Sequence, residues 1–131
     1  MNSLDDWHVT ASATAAFIAA IAEPTRLRIV NCVATAPLFV SDLVAILDLR
    51  QPTVSRHLRV LRNAGVVTDL PIPPFAIYSL LPQAPARQRV LRAVLDAALT
   101  ESAFRTERDA ALARTRESVR ARVTGAGAHA G

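Results

Sequence analysis

The stretch DLRQPTVSRHLRVLRNAG, Asp48–Gly65, carries four arginines together with apolar residues at helical spacing. Pro52 suits the first turn of a helix, because the N–H that proline lacks would have no helical partner there. Gly65 suits the position just after a helix, where the backbone is often left-handed. The stretch therefore predicts a helix over 52–64.

This predicted helix has an apolar side and an arginine side when its residues are placed about 100° apart. The apolar side consists of Val54, Leu58 and Leu61. The opposite side consists of Arg56, Arg59 and Asn63. Such a helix can pack on a protein core through one side and present the other side to a binding partner.

A shorter helix is predicted just before it, over the sequence DLVAILDL. Ser41 is its expected N-cap, and Asp42 lies in the first turn, where the helix dipole favours a negative charge. About four residues separate the two helices, which is the spacing of a helix-turn-helix motif. Hydroxyls at Thr53 and Ser55, with arginines one turn later, suit entry of the second helix into the major groove of DNA.

The flanking sequence predicts mainly α structure with one small β-hairpin. TASATAAFIAAIAE and PTRLRIVNCVAT have the apolar spacing of two helices, and VVTDL and AIYSLL, on either side of PIPPF, predict a two-stranded ribbon. From about Gln83 to Val123 the pattern is helical again, as one helix or as two. Thr106 with Asp109 resembles a capping box, and the acidic residues of this region are expected to pair with nearby arginines.

A length of 131 residues with 51% apolar residues indicates a single domain, 1–131. Within it, residues 1–9 and 124–131 are predicted to be disordered, and 101–123 to form a helical C-terminal extension. A signal-peptide pattern and an apolar run of about 18 residues are both missing, so we expect a cytoplasmic protein without membrane contact. Because no nucleophile stands at motif spacing from a base, we do not expect an enzyme.

The charge of the chain favours a polyanionic partner such as nucleic acid. The net charge is +4, and every basic residue apart from histidine is an arginine. Residues 83–131 contribute nine arginines against five acids. The single cysteine, Cys32, excludes an intrachain disulfide. We expect it to be a small buried hydrophobe, and the alternative is a redox switch.

Three segments resemble the ArsR/SmtB family of winged-helix transcriptional repressors. They are AEPTRLRIV at 22–30, SDLVAILDLRQPTVSRHLRVLRNAGVV at 41–67 and AIYSL at 76–80. The resemblance implies a winged helix-turn-helix fold and a homodimer joined through the N- and C-terminal helices. It further implies that the dimer reads an inverted-repeat operator in double-stranded DNA through the helix 52–64, and that a small-molecule effector weakens this binding.

The resemblance also implies which residues contact DNA. The recognition-helix positions of the family fall on Gln51, Thr53, Ser55, Arg56 and Arg59. Arg56 is the expected bidentate reader of guanine, and Arg59 the expected anchor on a phosphate. Arg50 in the turn and His57 at the flank of the helix complete the set of candidate DNA contacts.

Two departures from the family pattern bear on metals and on the wing. Phe39-Val40-Ser41 stands where arsenic-sensing members have Cys-Val-Cys, and no histidine lies between His57 and His129, so we expect no metal site and no cofactor. The wing segment 70–80 contains no Lys or Arg. Its apolar residues Ile72 and Phe75 are expected to pack on the body or to rest in a minor groove. The alternative function is a winged-helix module that binds a protein partner instead of DNA.

Overall fold

The computed structural model describes the backbone of residues 3–130 and the side chains of residues 13–118 and 120. The elements in chain order are α1 (Ser3–Ala22), α2 (Pro24–Val33), β1 (Leu38–Phe39), α3 (Val40–Leu47), α4 (Gln51–Asn63), β2 (Val67–Ile72), β3 (Phe75–Leu80), α5 (Pro85–Ala98) and α6 (Ser102–Ala130). The fold is mainly helical with one small antiparallel sheet, as the sequence predicts.

The apolar side of α4 packs into the centre of the molecule. Val54, Leu58 and Leu61 are fully buried, and they belong to one core cluster with Ile29 of α2 and Leu43 of α3. Burial of each such side chain stabilises the fold by about 1.5–3 kcal/mol. The predicted stripe therefore fixes α4 to the body of the domain and leaves the arginine side outward.

The helix-turn-helix is formed by α3 and α4, with boundaries slightly different from those predicted. Arg50 is the N-cap of α4, which begins at Gln51 and ends at Asn63, and Asp48 ends α3 in a left-handed conformation with φ 54°. The N-cap of α3 is Phe39, and the expectation that Ser41 fills this role is wrong. The Asp42 carboxylate accepts a hydrogen bond from the Phe39 N–H at 2.9 Å. The side chain of the third helical residue therefore satisfies the backbone N–H of the N-cap residue.

The wing is part of a three-stranded sheet in the order β1-β3-β2, where the sequence predicts two strands. β1 pairs Leu38 with Tyr78, and β3 continues along β2 as far as the pair Ile72 and Phe75, so only two residues form the turn. β1 has two residues, which is too short for an alternating pattern to reveal it. Its pairing ties the start of α3 to the wing.

The C-terminal region forms two helices with the break at residues 99–101. The sequence left open one helix or two; the second helix begins at Ser102 and not at the capping-box pattern of Thr106, whose hydroxyl donates to the Ser102 carbonyl at 3.0 Å within α6. The backbone is helical over residues 3–9 in α1 and 124–130 in α6, and the expected disorder of the two ends stays a prediction; residues 1, 2 and 131 lie outside the described residues. No helix in the described part of the chain combines the length and apolar character needed to cross a membrane.

Candidate nucleic-acid interface

The outward side of α4 carries the predicted DNA contacts. Arg56, Arg59 and Gln51 are exposed, whereas Thr53 and Ser55 are half-buried near the start of the helix. These five side chains belong to a single rigid element that the core holds in place. The structure thus groups them on one helix, and their contact with DNA stays a prediction.

His57 and Arg50 are placed differently from the other candidates. His57 turns toward α2, where its Nδ1 lies 3.4 Å from a guanidinium nitrogen of Arg26 and 3.7 Å from the Glu23 carboxylate. Glu23 is the N-cap of α2, and although burial opposes the shift, hydrogen bonds from the N–H groups of Arg26 and Thr25 lower its carboxyl pKa. His57 therefore joins α4 to α2, while Arg50 is exposed at the turn.

The wing ends in an exposed apolar surface. Leu70 and Phe75 are each 62% exposed, and the Phe75 ring meets the Phe39 ring edge-on with 6.3 Å between centroids. Ladder register places Leu70, Ile72 and Phe75 on one face of the ribbon, because cross-strand partners and residues two apart share a face. Of the two predicted alternatives for the wing, the ring contact with Phe39 supports packing of Phe75 on the body, although most of the Phe75 side chain stays exposed.

The starts of α3 and α4 and the tip of the wing lie at one edge of the molecule. A cleft of about 200 Å³ is lined by Ser41 at the start of α3, Gln51 at the start of α4, and Pro74 and Phe75 at the tip of the wing. We call this edge the front edge.

The helix α6 makes contacts that the sequence did not reveal. Arg28 of α2 donates from Nε to both oxygens of Glu107 at 3.1 Å and from Nη2 to the Leu47 carbonyl at 3.1 Å. At the other end of α3, Arg114 Nε donates to the Asp42 carboxylate at 3.1 Å. The expectation that Glu107 pairs with nearby arginines of its own region is therefore wrong.

A sequence signal for this packing did exist. Residues of α6 that meet α2 and α3 recur three and four positions apart, the spacing of one helix face: Phe104, Glu107, Ala111, Arg114 and Ser118. Only two of the five are apolar, so a search for hydrophobic periodicity does not detect the face.

Cys32 is buried beneath α6. Its Sγ lies 4.0 Å from the Glu107 carbonyl oxygen. Burial, followed by the negative charge of Glu107, raises the pKa of the Cys32 thiol to about 12, and Arg28 offsets this only in part. Because the thiolate is the reactive form, this environment opposes the proposed redox switch.

We accordingly predict that Cys32 will not react in the folded protein. With iodoacetamide at pH 7.5, mass spectrometry should find the native chain unmodified on the timescale in which the urea-unfolded chain is fully alkylated, because both burial and the raised pKa are lost on unfolding. Rapid labelling of the native protein would restore the switch hypothesis.

Metal-ligating residues are dispersed. Among the side chains that the structure describes, no three from His, Cys, Asp and Glu come together in a group able to hold a metal ion. His8 and His129 lie outside the described side chains. The expectation of no metal site stays a prediction.

Comparison with known proteins identifies the family. Residues 23–69, from the start of α2 to β2, match the family model described as bacterial regulatory protein, arsR family. The transcriptional repressor SdpR of Bacillus subtilis is 31% identical over 61 residues, which cover 47% of this chain and 68% of that repressor. The chain belongs to the arsR family. Proteins of this family are transcriptional regulators and not enzymes, which confirms the sequence-based prediction that the chain is not an enzyme.

Other relatives of this arsR-family chain agree with the assignment. The HTH-type transcriptional regulator Rv2034 of Mycobacterium tuberculosis is 41% identical over 63 residues, covering 48% of this chain and 59% of that protein. The chain spans 49–59% of the length of the first curated relatives it matches. The homodimeric winged helix-turn-helix DNA-binding domain Mb0332 of Mycobacterium bovis superposes with TM-score 0.61 at 22% identity, over 72% of this chain and 89% of that domain. This likeness confirms the winged helix-turn-helix fold. The family match ends at Asp69, so α5 and α6 lie beyond it.

Proposed function

We propose that this arsR-family protein is a sequence-specific DNA-binding transcriptional regulator, and that it acts as a homodimeric repressor in the cytoplasm. The observation that carries the proposal is α4 itself. Its apolar stripe is fully buried and its opposite side presents Arg56 and Arg59 to solvent, next to a front edge of helix starts. The family membership supports the same function.

In this proposal α4 enters the major groove with its N-terminal end leading. Arg56 donates in bidentate fashion to guanine, which contributes about 1–3 kcal/mol of discrimination between bases. Arg59 binds a phosphate, and Gln51, Thr53 and Ser55 hydrogen-bond to an adenine edge or to the backbone. Because phosphate neutralisation releases counterions, the affinity falls steeply as salt rises.

In this proposal α1 and α5 form the dimer contact. The sequence-based expectation is a dimer through the first and last helices. The last helix, α6, packs on α2 and α3 of its own chain, so in this proposal α5 takes the place of α6 at the dimer contact. Ile18 of α1 is 47% exposed and Val90 of α5 is 40% exposed, which leaves apolar surface for a second copy. Two-fold symmetry then places the two α4 helices on the two halves of an inverted repeat.

A binding titration tests the proposed function. The protein is titrated at 100 mM salt with duplexes tiled across the DNA that flanks its own gene, and with scrambled duplexes of the same composition. We expect one duplex to bind about 10³-fold or more tighter than its scrambled counterpart, with a footprint of two half-sites about 10 base pairs apart. Equal affinity for every duplex would contradict a sequence-specific regulator.

The second candidate function is binding of a protein partner through the wing, and the exposed apolar surface formed by Leu70, Ile72 and Phe75 favours it. The variant Phe75→Ser distinguishes the two functions. Loss of a protein partner with unchanged DNA affinity would support this candidate, and a weakened DNA complex would assign the wing to DNA.

We further predict that zinc, cadmium and arsenite will not release the DNA. Phe39 and Ser41 supply no thiolate, and the described side chains form no cluster of three metal ligands. In a fluorescence anisotropy assay, each metal at about 100-fold excess over protein should leave the bound fraction unchanged, since binding cannot shift without a site. Release by any of the three would reveal a metal site that these residues do not predict.

A further inference from the structure

The helix α6 lies antiparallel to α3 and contacts both of its ends. Glu107 binds Arg28, which in turn donates to the Leu47 carbonyl at the end of α3. Eleven positions later in the chain, Ser118 donates to the Asp42 carboxylate near the start of α3, at 3.4 Å, beside the contact from Arg114. Side-chain contacts at two positions along α6 therefore define its direction relative to the helix-turn-helix.

Because α6 runs from the end of α3 toward its start, the second half of α6 approaches the front edge. The start of α3 lies at that edge with the start of α4 and the wing tip, around Ser41, Gln51 and Phe75. The helix continues from Ser118 to Ala130, and at 1.5 Å per residue these twelve steps span about 18 Å beyond the contact with Asp42. The distal part of α6 thus extends past the end of α3 that faces the proposed DNA.

The same part of α6 is rich in arginine. Residues 114–123 contain four arginines and one acid, Glu117. Arg114 is paired with Asp42, whereas Arg116 and Arg120 are exposed. The wing segment 70–80, by contrast, contains no Lys or Arg. Positive charge that is missing from the wing is present on the distal part of α6.

We propose that the distal half of α6, through Arg116 and Arg120, is a second DNA contact that neutralises phosphates flanking the site read by α4. The inference rests on the proposed DNA-binding function and adds a contact outside the segment matched by the family model. Phosphate contacts carry no sequence information, so α6 adds affinity for any duplex and leaves base discrimination to α4.

The dependence of affinity on salt measures this contact directly. Each phosphate contact contributes about 0.9 to the slope of log K against log salt concentration for duplex DNA. Loss of both arginines in each subunit of a dimer removes up to four contacts, so we expect the slope to fall by about 2–4. Affinity for the scrambled duplex falls by the same factor as affinity for the operator.

The test compares Arg116→Gln/Arg120→Gln with the wild type on operator and scrambled duplexes between 50 and 300 mM NaCl. Arg105→Gln is the matched control, because Arg105 is an exposed arginine of the same helix near its other end, where it donates to the Leu99 carbonyl. Arg116→Lys/Arg120→Lys should retain the wild-type slope, since a lysine charge also neutralises a phosphate. Thermal melts confirm that each variant is folded.

An unchanged slope for the double glutamine variant, with the wild type still selecting its operator, would overturn the α6 contact and leave the proposed function standing. A fall in operator affinity alone, with scrambled DNA unaffected, would overturn it as well, because it would make α6 a reader of sequence. If the wild type selects no duplex at all, the proposed function itself fails.

Discussion

Replacing Arg56 and Arg59 together with alanine should lower operator affinity by about 60-fold or more. A bidentate contact to guanine contributes about 1–3 kcal/mol and a charge-assisted contact to phosphate about 1.5–3 kcal/mol, so their joint loss costs about 2.5 kcal/mol at least. Both side chains are exposed, and the stripe that anchors α4 to the core is untouched. The melting temperature should therefore stay within about 2 °C of the wild type.

The two single variants separate the proposed roles. Arg56→Ala should weaken operator binding more than scrambled DNA binding and relax the preference for one base pair, whereas Arg59→Ala should weaken both duplexes equally. Arg105→Ala serves as the control for charge. Operator affinity that survives the double substitution would remove α4 as the reading helix, whatever else the protein does.

Replacing Arg28 with alanine should destabilise the fold by about 2 kcal/mol. Breaking a buried ion pair costs about 3–5 kcal/mol, and the figure is reduced here because the Arg28 side chain is 32% exposed and that of Glu107 16% exposed. Arg28 also donates to the Leu47 carbonyl, so the substitution loosens α3 as well as α6. The melting temperature should fall by about 6–10 °C.

A double-mutant cycle with Glu107→Ala shows whether α6 is docked in solution. If the pair exists, the double variant is less destabilised than the sum of the single variants, by about 1 kcal/mol or more. Additive effects would mean that Glu107 does not meet Arg28, and they would withdraw the support that this contact gives to the path of α6. Urea denaturation followed by circular dichroism provides the free energies of unfolding.

Several features of the helix-turn-helix could be predicted because they depend on local sequence. The proline near the start of α4, the glycine after it and the stripe of Val54, Leu58 and Leu61 specify a helix, its limits and its buried side without reference to the rest of the chain. Arg56 and Arg59 then lie outward by geometry alone. His57 is the exception on this helix, since its contact with Glu23 and Arg26 depends on where α2 packs.

The placement of α6 could not be predicted in the same way. Its contact face contains Glu107, Arg114 and Ser118, so hydrophobic periodicity does not mark it. Charged residues on a helix are compatible with partners in the same helix, in another element or in solvent. In the structure Glu107 pairs with Arg28, and Arg114 pairs with Asp42. Each partner is more than 70 residues away in the chain, so only the tertiary structure identifies it.

The sequence by itself determined the element that presents arginine to a partner, and with it the class of function, because helix limits and helix faces follow from local rules and short-range spacing. The tertiary structure alone decided that α6 packs on α3 and runs antiparallel to it, that Cys32 is covered, and that the wing tip stays exposed. Those features depend on contacts between residues far apart in the chain, and only the folded backbone brings such residues within reach.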